Sequence, residues 1–356
     1  MSNAVSTILP FAENRVLRLY LGGGGIDRLC GAENAVDNRF PENWIGSCIE
    51  GNGRAYHSPG HGISKILFDG QWHSFPEFLA EHAEEMLGTK HLQKYGAVPA
   101  VLVKLLDSAE QLPLQVHPTC EDARKYLNSS YGKTEAWIIL STREVNGEKP
   151  YLLVGFNEKL RKDVFISESL AGKFEYASEM LNKVEVSAGD VIIIRGGVPH
   201  AIGPGVTMVE VMEPSDHVII PEIACCGVEL NEKQRFMNID PTTAINMTDF
   251  TSLTIEELYK RYSPVPQVLK QTADGVLRYL ISPQDCALFS AAELTLDGSW
   301  DLENPDSSGM GIVVEGALSF DGIEVKAGGN FFLPYALKKV SVKGRGRLII
   351  VRPPSA

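Results

Sequence analysis

The sequence has no apolar stretch near the roughly 18 residues that a membrane-spanning helix requires. It also has no basic run: 33 Lys and Arg residues stand against 45 Asp and Glu residues, and the net charge is −12. Without basic segments to follow a phosphate backbone, nucleic-acid binding is not expected. The first residues, MSNAVSTILPFAENR, lack the basic start and long apolar core of a secretory signal. We therefore predict a soluble cytoplasmic protein without a nucleic-acid or membrane partner.

Several motifs of other protein classes are also missing. The six cysteines form no CxxC pair, so they are expected to be small buried hydrophobic residues rather than metal ligands or disulfides. The run GGGG at 22–25 is without the GxGxxG register and a following helix, which predicts a tight turn and not a dinucleotide site. No GxSxG elbow surrounds Ser47 or Ser215.

Short apolar runs separated by Gly, Pro, Asn and Asp dominate the sequence. This pattern predicts a mainly β fold, a sandwich or barrel. The expected strands lie at 100–106, 135–140, 151–154, 191–194, 206–211 and 218–220, and then at 277–281, 287–296, 311–314, 317–320, 330–333 and 347–351. Helices are expected to be short insertions, at 75–85 after Ser74, at 119–128, at 163–170, at 173–181, and at 253–262 after Thr251 or Ser252.

The length of 356 residues allows two domains, and the composition changes near residues 240–265. All eight histidines precede this region. The segment VEVSAGDVIIIRGGVPHAIG and the later AGGNFFLP share the order of a glycine turn, an apolar strand and a proline, which indicates a weak internal repeat. We predict a catalytic domain at 1–250 with a metal site and a β-barrel domain at 251–356 without one.

Four residues carry the metal prediction. Gln115 and His117 are two positions apart in PLQVHP, so on a strand their side chains face the same side. Lys133 and Glu135 repeat this spacing in GKTEAWIIL, and His200 follows an apolar strand in GGVPHAIGPG. Imidazole, carboxylate and amide oxygen together suit Zn²⁺ or a similar divalent ion, at one ion per chain. Each of these residues alone is also compatible with a structural role, so the prediction depends on the joint pattern.

At these motifs the chain resembles the class I mannose-6-phosphate isomerases. The family pattern is Gln-x-His-Pro, then Lys-x-Glu, then His-Ala, which here is Gln115 to Pro118, Lys133 to Glu135, and His200–Ala201. The resemblance extends to VKLLDS, to ENWIGSCIEGNG and to the C-terminal barrel sequence, and thus covers most of the chain. It implies a cupin-type double-stranded β-helix, or jelly roll, with two barrel units and short helical insertions.

The resemblance also implies an activity. In the family, the Gln, both His and the Glu bind zinc, and the reaction interconverts mannose 6-phosphate and fructose 6-phosphate through an enediol. Lys133 is then the candidate for proton transfer or oxyanion stabilisation and for substrate binding. Lys104 is a second candidate cation, Glu210 a candidate base or partner, and Arg195 a candidate substrate-binding cation.

The chain departs from the family at two positions. Pro113 stands where the family has a serine associated with the substrate phosphate, and Ile220 stands where it has an arginine. Two alternatives therefore stay open, a metal-containing sugar-binding cupin of altered specificity or without catalysis, and a metal-dependent oxygenase. Gln115 argues against the oxygenase, which would use another histidine or an open position. The sequence does not indicate an oligomeric state.

Overall fold

The computed structural model of the chain describes residues 7–51, 58–173, 177–304 and 307–355. Most of its regular structure is strand, and the strand pairs within each sheet are antiparallel, so the predicted mainly β fold is confirmed. Among the described residues, no helix combines the length and the apolar character needed to cross a membrane.

A six-stranded sheet, here called the site sheet, carries the predicted motifs. Its strands in spatial order are Val191–Ile194, Glu135–Thr142, Val206–Met212, Leu102–Asp107, Glu42–Ile45 and Arg15–Val16. A three-stranded sheet contains His200–Ile202, Tyr151–Phe156 and Leu181–Glu185. Two hairpins complete this part of the chain, Lys65–Phe68 with Gln71–Ser74, and Ala224–Cys225 with Val228–Glu229.

A larger sheet, here called the C-terminal sheet, contains eight strands. In spatial order they are Leu9–Pro10, Asn330–Leu333, Gly309–Phe320, Lys339–Arg352, Ser290–Glu303, Gly275–Ile281 and Gln267–Gln271, with Ile323–Lys326 paired to Gly309–Phe320. One of its strands comes from the start of the chain, because Leu9 pairs with Phe332 and Pro10 with Phe331. The division into domains at residue 250 stays a prediction.

The helices are short and lie between strands. They span Gly24–Leu29, Phe75–Glu81, Ala83–Leu87, Thr89–Tyr95, Cys120–Leu127, Lys162–Ala171, Glu232–Phe236, Pro241–Ile245 and Ile255–Tyr262, with a 3-10 turn at Ser178–Met180. The last helix begins after Thr254, whose side chain accepts from the Glu257 N–H in a capping box. The expected caps Thr251 and Ser252 lie one turn too early.

Three other expectations need correction. The glycine run at 22–25 leads into a helix, and the N–H groups of Gly23 and Gly25 both donate to the Asp107 carboxylate. The segment 218–220 forms only an isolated bridge between Val116 and Ile219. The predicted helix at 173–181 is partly outside the described residues, and its end is the 3-10 turn followed by a strand.

The two faces of the site sheet have different partners. Val209 and Val211 face a large apolar core, which also contains Ile312 and Ile349 of the C-terminal sheet. Because side chains alternate along a strand, Glu210 between the two valines points to the opposite face. That face holds the candidate site, and the apolar core shared with the C-terminal sheet supports it from behind.

We predict that Val351→Ala destabilises the protein by about 2 kcal/mol, because it removes two methyl groups from this shared core. Val351 is fully buried there. The same substitution at Val265, a side chain that is 78% exposed, should change the free energy of unfolding by less than about 0.5 kcal/mol. Denaturant titration of both variants measures the difference. Equal shifts would show that the two sheets do not depend on a common core.

Candidate metal and substrate site

Backbone pairing places two of the predicted ligands next to each other. Gln115 and His200 form an antiparallel bridge, in which the Gln115 N–H donates to His200 O at 2.8 Å and the His200 N–H donates to Gln115 O at 3.0 Å. Glu135 begins a site-sheet strand, where it lies opposite Ile194 and Met212. The start of this strand lies beside the start of the His200–Ile202 strand of the three-stranded sheet, where the side chains of Glu135 and His200 meet.

His117, Glu135 and His200 form a buried cluster, with their ligand atoms within 4.8 Å of one another. His117 Nε2 lies 3.2 Å from Glu135 Oε2, and His200 Nε2 lies 3.4 Å from Glu135 Oε1. The two imidazole ring centroids are 4.7 Å apart. The Gln115 side chain lines the cavity that adjoins this cluster, together with Glu135.

Both histidines are oriented by backbone carbonyl groups. His117 Nδ1 lies 2.9 Å from His217 O, and His200 Nδ1 lies 2.9 Å from Val198 O. A carbonyl only accepts, so each Nδ1 carries the proton and each Nε2 presents a lone pair to the cluster. His200 Nε2 is a buried atom without a hydrogen-bond partner among the described residues. Buried atoms of this kind fit a metal ion.

The protonation states of the three clustered residues also favour a metal ion. Burial and the neighbouring Lys133 lower the pKa of His117 to about 3, and burial lowers the pKa of His200. Burial opposes the ionisation of Glu135, but the Lys133 ammonium group holds its pKa well below the usual range. At neutral pH the cluster therefore contains two neutral imidazoles and one carboxylate, which are the protonation states that a divalent metal requires.

Lys133 is buried at the edge of the cluster. Its Nζ lies 3.0 Å from Glu135 Oε2 and 3.0 Å from His117 Nε2. The loop that carries it is held by Glu213, whose carboxylate accepts from the N–H groups of Gly132 and Thr134 at 3.2 Å and 2.9 Å. Glu213 was not predicted from the sequence, although it follows a predicted site-sheet strand.

A row of alternating charges continues from this cluster along the cavity. Lys104 Nζ lies 2.8 Å from Glu210 Oε2 and 3.4 Å from Glu42 Oε2. Glu42 Oε1 in turn accepts from Arg18 Nε at 2.8 Å. The guanidinium of Arg18 also donates to both carboxylate oxygens of Asp216, at 3.2 Å and 3.1 Å. The sheet register explains the first pair, because Glu210 lies directly opposite Lys104.

The four carboxylates in this row and cluster do not share one protonation behaviour. Burial opposes the ionisation of Glu42, yet Arg18 and Lys104 lower its pKa to about 2. Asp216 also has a lowered pKa, since Arg18 outweighs the effect of burial. Burial raises the pKa of Glu210, and Lys104 only partly offsets this. Glu210 is thus the carboxyl group in the row whose proton affinity is increased.

The cavity is also lined by apolar side chains. They include Leu17, Leu19, Leu112, Pro113, Val218 and Ile220. The cavity lining therefore combines paired charges with hydrophobic side chains. A ligand that carries both hydroxyl groups and carbon-bound hydrogens suits this combination.

The structure brings seven of the eight predicted site residues together, in the cluster or in the cavity wall: Gln115, His117, Lys133, Glu135, His200, Lys104 and Glu210. Arg195 is placed elsewhere. Its side chain is exposed, and its Nη2 lies 3.4 Å from the Asp285 carbonyl oxygen. The preceding Ile194 faces the site side of the sheet, so the next residue along the strand points away from it.

The curated proteins that are similar to this chain in sequence are mannose-6-phosphate isomerases. No protein-family model matches the chain. The mannose-6-phosphate isomerase ManA of Bacillus subtilis is 25% identical over 276 residues, which cover 76% of this chain and 79% of that protein. The mannose-6-phosphate isomerase of Streptococcus mutans is 30% identical over 158 residues, 44% of this chain and 45% of that protein.

Solved structures extend the likeness to the whole fold. The mannose 6-phosphate isomerase of Bacillus subtilis superimposes with a TM-score of 0.73 at 18% identity, covering 98% of this chain and 100% of that chain. A variant of the phosphomannose isomerase from Salmonella typhimurium gives a TM-score of 0.72 at 17% identity, with the same coverage. These likenesses support the predicted cupin-type fold.

We predict that the purified protein binds about one divalent metal ion per chain after incubation with Zn²⁺. His200→Ala should weaken this binding by at least tenfold, because it removes one of the three clustered ligands. His73→Ala, a change at a histidine on a separate hairpin, should leave the metal content unchanged. Elemental analysis after dialysis measures the metal content without reference to activity. A folded His200→Ala protein that retains metal like the wild type would refute this ligand set.

Proposed function

We propose that this chain, which belongs in sequence and fold with the class I mannose-6-phosphate isomerases, is a metal-dependent aldose–ketose isomerase. The resemblance indicated by its motifs is confirmed by the relatives found in sequence and structure. The proposed reaction interconverts mannose 6-phosphate and fructose 6-phosphate. The observation that carries this proposal is the histidine and glutamate cluster, which lies at the end of a cavity lined with paired lysines and carboxylates.

Zn²⁺ is the metal that we propose for the cluster, with Gln115 as a further ligand beside His117, Glu135 and His200. Two imidazole nitrogens with carboxylate and amide oxygens form a ligand set that suits zinc. When bound, such an ion polarises the sugar oxygens and stabilises negative charge that develops on them. Every other step is assigned to residues of the chain.

The isomerisation needs proton transfers and no net oxidation. An aldose and its ketose have the same atoms, so a proton leaves C2 and is returned at C1, while the hydroxyl proton moves from O2 to O1. A group with an increased proton affinity suits the carbon proton transfer, because its pKa is closer to the working pH. We assign this role to Glu210, whose pKa is raised by burial.

The two buried lysines then have separate roles. Lys104 contacts Glu210 and Glu42 together, so it holds the Glu210 carboxylate in one orientation. Lys133 is placed at the cluster itself, where its ammonium group can donate to the oxygen that becomes negative in the enediol. Lys133 is also the residue that we propose to contact the substrate oxygens near C1 and C2.

One observation favours a second candidate function, a metal-containing sugar-binding cupin of altered specificity or without catalysis. Pro113 and Ile220 both line the cavity, and both are apolar. A smaller affinity for phosphate, or a preference for an unphosphorylated sugar, would follow if no other cation bound the phosphate.

We also propose a cytoplasmic location. It is supported by the six cysteines, all of which are free thiols.

A coupled isomerase assay distinguishes these functions. We expect the zinc-loaded protein to convert mannose 6-phosphate with a higher kcat/KM than unphosphorylated mannose. Turnover of mannose alone would favour altered specificity. If both sugars bind but neither reacts, the protein is a binding module. If neither sugar binds or reacts after metal loading, the proposed isomerase function is wrong.

We predict that Glu210→Gln lowers kcat by about 10²–10⁴-fold, because the amide cannot accept the carbon proton. In the wild type, activity should rise with pH through an acidic limb above the ordinary glutamate pKa of roughly 4.3, since the group must be ionised to act as a base and its pKa is raised. This limb should be absent from any residual activity of the variant. Glu324→Gln, at a side chain that is 65% exposed, serves as the control. An active Glu210→Gln enzyme with the wild-type pH profile would assign the base elsewhere.

A further inference from the structure

Arg18 is held in the cavity wall by two carboxylates from distant parts of the chain. Its Nε donates to Glu42, and its Nη1 and Nη2 donate to the two oxygens of Asp216. The guanidinium carbon also lies 5.4 Å from the Trp44 ring centroid. These hydrogen bonds restrict the rotation of the Arg18 side chain, so the guanidinium is oriented before a ligand binds.

These contacts leave part of the guanidinium available. A guanidinium has five N–H donors. Within the described part of the chain, Glu42 and Asp216 take three of them, one on Nε and one on each terminal nitrogen. One donor therefore remains on Nη1 and one on Nη2. The Arg18 side chain is 15% exposed, against 1% for Lys104 and 4% for Lys133, so it is the most accessible cation of the three.

On one side, a series of contacts separates Arg18 from the histidine cluster. Its partner Glu42 contacts Lys104, Lys104 contacts Glu210, and only beyond them lie Glu135 and the histidines. A hexose phosphate has its reacting carbons at one end and its phosphate at the other. If C1 and C2 face the histidine cluster, the phosphate lies away from it, and Arg18 lines the same cavity.

We propose that Arg18 is the residue that binds the phosphate group of the substrate. This inference rests on the proposed isomerase function, and it names the residue that makes the site selective for a phosphorylated sugar. Guanidinium groups bind phosphate more strongly and with more directional hydrogen bonds than neutral donors do. Arg18 thereby supplies a cation on a cavity wall where Pro113 and Ile220 supply none.

The surrounding carboxylates do not cancel this role. The cavity and cluster contain three cations, Arg18, Lys104 and Lys133, and four carboxylates, Glu42, Glu135, Glu210 and Asp216. With a divalent metal bound, one net positive charge remains, so an anionic group is attracted. The two carboxylates at Arg18 orient its free N–H donors and prevent the arginine from extending into solvent.

The test compares two substrates in the zinc-loaded enzyme. Arg18→Gln should raise KM for mannose 6-phosphate roughly ten- to a hundredfold, the loss expected for hydrogen bonds to a charged group. The ratio of kcat/KM for mannose 6-phosphate to kcat/KM for unphosphorylated mannose should fall by about tenfold or more. Inhibition by inorganic phosphate should weaken in parallel. Arg345→Gln serves as the matched control, because Arg345 also pairs with an aspartate but is 85% exposed.

Removal of Arg18 alone takes away a cation that both Glu42 and Asp216 contact, so the variant could fail to fold. The double variant Arg18→Gln/Asp216→Asn removes the charge pair together, and Arg18→Lys keeps the charge without the planar fork. We expect both to fold, to bind zinc and to lose discrimination for the phosphorylated sugar. Equal losses with mannose and mannose 6-phosphate, or unchanged phosphate inhibition, would overturn the proposal. Absence of turnover by the wild type would instead refute the isomerase function.

Discussion

Two lysines, Lys104 and Lys133, are buried almost completely, and the site depends on this fact. A buried ammonium group is strongly destabilising unless carboxylates surround it. Lys104 therefore requires Glu42 and Glu210, and Lys133 requires Glu135. Since the same carboxylates face the cavity, the pairing that makes burial possible also fixes the positions of the groups that we assign to chemistry.

The histidine cluster follows a similar principle with neutral groups. Backbone carbonyls select the tautomer of His117 and His200, so the Nε2 atoms are prepared to accept a metal without rearrangement. Lys133 both lowers the pKa of His117 and stabilises the ionised Glu135. One cation therefore favours the ligand form of two neighbouring groups, which links metal binding to the lysine that we assign to oxyanion stabilisation.

Most of the cluster could be predicted from the sequence, because Gln115, His117, Lys133 and Glu135 occur in pairs with strand spacing. The position of Arg195 could not be predicted. At the end of a strand, the sheet register determines which face a side chain joins, and the sequence does not show this register. Arg18 gave no local signal. Its partners Glu42 and Asp216 are 24 and 198 positions away, and it lies outside the regular strands.

The charged row also helps to fix the register of the strands in the site sheet. A slip of one residue in the strand Val206–Met212 would turn Glu210 into the apolar core and Val209 or Val211 into the cavity. Such a slip would leave Lys104 buried without Glu210, so it is opposed on both faces of the sheet at once. The residues that we assign to proton transfer therefore also select the strand register on which the histidine cluster depends. For this reason, a neutral substitution at Glu210 tests catalysis more cleanly than one at Lys104, whose loss would take the cation from the buried Glu210 and one of two cations from Glu42.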